Sequence, residues 1–123
     1  MQNATQAYGN VARQVSSPRD LEADLLLKAA SRLQAVRDAW TGHCDDLDSA
    51  LLYNRRLWTI FLASVTSAEN PLPKEIRQNV ASLGLFVLNQ TMTVTTAIDP
   101  QPDQLGSLIH INRELAAGLH ARA

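Results

Sequence analysis

The chain predicts an all-α fold, a small antiparallel bundle of four long helices with a short helix at its N-terminal end. Three observations carry this expectation. Large apolar residues recur at steps of three, four and seven along most of the sequence, the spacing that places them on one face of a 3.6-residue helix. Hard breaks at Asn70-Pro71-Leu72-Pro73 and Asp99-Pro100-Gln101-Pro102 cut the periodic stretches apart, because each proline disfavours a helical conformation in the residue before it. Finally, hydrophobic residues make up 46% of the chain but aromatics only 5%, so a core must be built mostly from Leu, Val, Ile and Ala, as in packed helices.

The first element, Asn3 to Val15, spaces Ala4, Ala7, Tyr8, Val11, Ala12 and Val15 at helical intervals. Gly9 in its middle costs about 1 kcal/mol relative to Ala, so this short helix depends on docking. Ser17-Pro18-Arg19-Asp20 then opens the next helix: Ser17 can cap, Pro18 fits the first helical position, and Asp20 sits where a capping box places its acid. Leu21, Leu25, Ala29, Leu33, Val36 and Trp40 form its stripe, and Gly42 is the expected C-cap.

Asp45, Asp46 and Asp48 open the most hydrophobic helix, where negative charge suits the exposed N–H groups and the dipole. In it, Leu47, Leu51, Trp58, Phe61, Leu62 and Val65 share a face, and Leu52, Leu57, Ile60 and Ala63 widen that face almost all round. Such a helix is expected to have neighbours on several sides. Asn54-Arg55-Arg56 interrupts it with a polar band.

Ile76, Val80, Leu83, Val87 and Val94 mark the following helix, and Gly84 within it predicts a close approach of another backbone. Its end, Thr91 to Ile98, alternates Thr with Met or Val in a strand-like pattern. A single strand has nothing to pair with, so the segment reads as the last turns of the helix. Leu105, Leu108, Ile111, Leu115 and Leu119 line the final helix. Short connections favour antiparallel neighbours, and no repeat, linker or composition shift argues for more than one domain across residues 1–123.

The formal net charge of −1 shows no surplus of cations of the kind phosphate binding needs, which argues against a nucleic-acid footprint. Cys44 stands alone, so a reducing compartment is the simpler setting. His43-Cys44-Asp45-Asp46 reads as a helix start rather than a metal site. The five glycines are scattered singly and form no phosphate loop. No Ser, His and acid set stands out as catalytic, and no cofactor is expected. The longest apolar-rich run, Leu57 to Val65, is far short of the ~20 residues that cross a bilayer. A soluble, cytoplasmic binding scaffold is the expectation from the residues alone.

Particular segments go further. Ser17-Pro18-Arg19-Asp20-Leu21 with the run to Leu33, Asn54-Arg55-Arg56-Leu57-Trp58, Leu72-Pro73 followed by Ile76-Arg77 and Leu83, and Ile111-Asn112-Arg113 with Gly118-Leu119 occur in this order over most of the chain. Together they resemble the flagellar biosynthesis regulator FlaF family of alphaproteobacteria. The resemblance implies a small cytoplasmic helical protein that acts after transcription on flagellin production. It also implies protein contacts with flagellin and with a second regulator, FlbT, in synthesis or export, a chaperone-like role. The competing expectation is an RNA-binding regulator that touches the flagellin messenger directly.

Three groups of residues are candidates for partner binding or for a structural network. Trp58 is a core anchor or a partner-facing side chain. Asn54, Arg55 or Arg56 can reach across helices to Asn112, Arg113 or an acid such as Glu69 or Glu75, or the arginines can instead snorkel over Leu57 or Tyr53. Leu85, Phe86 and Ile109, with nearby Leu88, are candidates for a groove that takes an amphipathic helix of flagellin.

Overall fold

The structure is a computed structural model that describes residues 17–121. Its long helices are α1 (Pro18–Asp38), α2 (Asp45–Thr66), α3 (Lys74–Thr96) and α4 (Gly106–His120), with one 3-10 turn at Pro102–Leu105 before α4. The expected leading helix, Asn3 to Val15, lies outside the described residues.

The first two helices start with side-chain caps that the local sequence supplies. The Ser17 hydroxyl accepts from the Asp20 amide at 3.1 Å, and Pro18 occupies the first turn of α1, where its missing N–H costs nothing. Ahead of α2, Cys44 caps: its sulfur accepts from the Leu47 amide at 3.4 Å, and Asp45, Asp46 and Asp48 fill the first turn. Between α2 and α3, the Asn70 side chain donates to Ser64 Oγ at 3.0 Å and accepts from the Leu72 amide at 3.0 Å, which fixes the turn that the two prolines impose. The threonine-rich end of α3 is helical. Thr91, Thr93, Thr95 and Thr96 each donate from the hydroxyl to the carbonyl four residues back, so the β-branched side chains are satisfied without leaving the helix.

Two expectations are corrected. Helix α1 stops at Asp38 rather than running to Gly42, and Trp40 lies half-buried in the connection. Gly42 has φ +78°, a left-handed conformation used to turn the connection and not to cap the helix. At Gly84 the close neighbour is a side chain, not a backbone: an added Cβ would lie 2.6 Å from Leu62 Cδ2 and 2.7 Å from Leu62 Cγ.

Contacts at the helix ends define an up-down order. The Arg32 guanidinium donates to Ser49 Oγ at 3.0 Å between α1 and α2. His43, just before α2, meets the carbonyl of Ala97, just after α3, at 2.7 Å. His120 at the end of α4 sits 3.0 Å from Asp20 at the start of α1, while Arg37 and Asp103 approach at the opposite end. Helix α4 therefore packs antiparallel along α1, and it meets α3 only lightly.

The core lies between the two antiparallel pairs. Leu26 and Leu33 of α1, Leu47, Leu51 and Trp58 of α2, Val87 and Val94 of α3, and Leu108 of α4 are all sealed from solvent. Phe61 adds an edge-to-face contact to Trp58, with ring centroids 5.8 Å apart. Helix α2 packs against both α1 and α3, but its back is open: Ile60 is 67% exposed and Leu52 38%. The all-round apolar character of that helix is thus used in the core on one side and left on the surface on the other.

Candidate functional site

Three of the candidate residues meet at the centre of the bundle. Asn54 of α2 and Asn112 of α4 are fully buried, although their side chains are polar. Asn112 Oδ1 accepts from the Trp58 indole N–H at 2.9 Å, and Asn112 Nδ2 donates to Asn54 Oδ1 at 2.7 Å. The same amide nitrogen lies 3.4 Å from the Leu26 carbonyl of α1. One carboxamide thereby ties three helices together. Asn54 Nδ2 is buried without a hydrogen-bond partner.

The geometry makes this cluster a lock between helices. Trp58 is a core side chain with no exposed surface, so it cannot face a partner. Buried polar groups that are paired in this way favour one arrangement of neighbours over slipped alternatives, since a shifted register would strand them in a low-dielectric interior.

The other candidates lie elsewhere. Arg55, Arg56 and Arg113 are exposed, and among the described residues none of them joins the asparagine cluster or an ion pair. The reason is angular. Residues one or two positions from Asn54 or Asn112 point 100° or 200° away from it around the helix. Arg56 lines a surface trough with Tyr53 and Leu57, but the cations that lie over the Tyr53 ring are Lys28 and Arg32.

The proposed apolar groove splits as well. Leu85 and Phe86 are exposed at 61% and 45%, but Ile109 is only 2% exposed and belongs to the core. Three residues before Asn112 on α4, it falls on the inward side of that helix. Leu88 is half-buried against the core. The exposed apolar surface of α3 instead continues from Leu85 to Met92, two turns on and 56% exposed.

A second apolar surface, on α1 and α2, was not among the expected sites. Leu25, Tyr53, Leu57 and Ile60 form the floor and wall of a trough of about 440 Å³, with Arg32 and Arg56 at its edge. The signal for it was the surplus of apolar residues around α2, which a single buried face cannot absorb.

Against known families, a model described as flagellar protein FlaF matches residues 4–119. The chain belongs to the FlaF family. Comparison with curated proteins and with solved structures gave no match. The FlaF match spans all four helices and the central lock, so both surfaces lie within the family's domain. Among the described residues of this FlaF-family chain, no helix is long and apolar enough to cross a membrane.

Proposed function

We infer that this FlaF-family protein regulates flagellin after transcription through protein contacts, binding flagellin and a FlbT-like regulator and acting on synthesis or export in a chaperone-like manner. Membership of a flagellar family supports a role in the flagellar system. The observation that supports contact with proteins is the exposure of large apolar side chains, Leu85, Phe86 and Met92, on α3 of a bundle whose interior is already closed by its own packing. Exposed apolar side chains gathered on one helix favour binding of another apolar surface. An amphipathic helix laid against such a face is a recurrent mode.

The test replaces Leu85 and Phe86 together by Asp and measures capture of purified flagellin and of the FlbT-like regulator, with circular dichroism as the control for folding. Loss of capture of either partner with helicity retained is the expected result. Unchanged capture of both removes this face from the reading. Direct contact with the flagellin messenger is a separate outcome, recognised by affinity that falls steeply as salt rises.

A further inference from the structure

We propose that the trough between α1 and α2 is a docking site for an acidic amphipathic helix of a partner protein. Its floor and walls are Leu25, Leu57 and Ile60, and Leu21, one turn before Leu25 on the same side of α1, extends the apolar surface with 55% exposure. The rim is cationic. Lys28 Nζ lies 5.7 Å and the Arg32 guanidinium 4.7 Å from the centre of the Tyr53 ring, and Arg56 lines the same trough. Among the described residues the ion pairs join Arg19 to Glu22, Arg37 to Asp103, and His120 to Asp20 and Asp24, so these three cations have no acidic partner.

Charge and shape select the occupant. An apolar strip bordered by three uncompensated cations complements an apolar stripe bordered by Asp or Glu. From Leu25 to Arg32 the trough runs about 10 Å along α1, the length of roughly two helical turns, which suits apolar anchors at i, i+4 and i+7. A second copy of this chain fits poorly, because a twofold contact through this face brings two cationic rims of Lys28, Arg32 and Arg56 into one interface with no acid on either rim. The segment 1–16 carries Arg13 and no Asp or Glu, so it supplies no countercharge. Single-stranded RNA prefers open aromatic platforms, whereas the Tyr53 ring is already covered by Arg32.

This inference rests on the reading that the protein works through protein partners, but its selection uses synthetic peptides, with flagellin capture as a separate readout. A displayed library of helical peptides, apolar at i, i+4 and i+7 and randomised over Glu, Lys, Gln and Ala at the flanking positions, is selected on the wild-type protein. It is selected in parallel on the Arg32→Glu/Arg56→Glu and Ile60→Asp variants, each checked for helicity. The expected result is at least about tenfold enrichment of Glu over Lys on the wild type. The preference should reverse on the charge-reversed variant, and capture should be lost on Ile60→Asp. Equal enrichment of Glu and Lys, an unchanged preference on the charge-reversed variant, or continued capture by Ile60→Asp overturns the proposal. So does stronger binding of single-stranded RNA or of phosphatidylglycerol vesicles than of the selected peptides. Failure of the selection while flagellin is still captured removes this trough alone. The converse result leaves the trough and removes the flagellin reading.

Discussion

Replacing Asn112 by Ala tests the central lock most directly. The substitution takes the acceptor from the Trp58 indole N–H and the donor from Asn54 Oδ1, contacts of 2.9 Å and 2.7 Å in a region closed to solvent. Each buried polar group left unpaired costs about 1–3 kcal/mol, so two of them give roughly 2–6 kcal/mol before any cavity is counted. That is a large part of the ~5–15 kcal/mol that holds an ordinary domain together. Asn54→Ala should cost less than half as much, because Asn54 Nδ2 already lacks a partner and its removal relieves that defect. In the double variant the two losses overlap, and the coupling should be at least ~1 kcal/mol. Urea unfolding followed by circular dichroism and by indole fluorescence gives all three values. A cost for Asn112→Ala below about 1 kcal/mol, or strict additivity with Asn54→Ala, would refute the reasoning.

Other substitutions probe separate parts of the structure. Gly84→Ala drives a methyl into Leu62 and should destabilise by about 1–3 kcal/mol, and adding Leu62→Ala should recover part of that loss in the same denaturation assay. Ser17→Ala removes the hydroxyl that accepts from the Asp20 amide and should cost about 1 kcal/mol. Ile109→Asp places a charge at a 2% exposed position and should abolish cooperative unfolding, whereas Leu85→Asp, at 61% exposure, should stay within about 0.5 kcal/mol of wild type. Equal effects of those two changes, measured by thermal melts, would contradict the assignment of Ile109 to the core and Leu85 to the surface.

The helices were legible in the sequence because burial imposes a period on every one of them, and because Ser17-Pro18, Asp45-Asp46 and the two proline breaks announce their ends. The end of α1 was not, since Trp40 continues the apolar spacing two residues beyond the last helical position, and only packing decides that it folds back within the connection. Asn54 and Asn112 stood out as polar residues beside apolar stripes. Their meeting with Trp58 required knowing which helices adjoin, information that periodicity within one helix does not hold. The same gap explains Ile109 and Leu85: both belong to helices rich in apolar residues, and their opposite fates follow from where the neighbours lie. The trough between α1 and α2 left a trace in the surplus hydrophobicity of α2, but its cationic rim gathers Lys28 and Arg32 from one helix and Arg56 from another.

The pairing of α1 with α4 bears on how the protein is born. Asn112 reaches back to the Leu26 carbonyl across 86 positions of sequence, and among the described helices α1 finds its most extensive partner in α4, which is made after α2 and α3. A nascent chain that has emerged from the ribosome only through α3 still carries the α4-facing side of α1 bare, with Trp58 and Asn54 waiting for their amide. Packing of α1 therefore waits until α4 has been made, and a premature stop anywhere before Asn112 is expected to yield a sticky fragment instead of a weakened bundle.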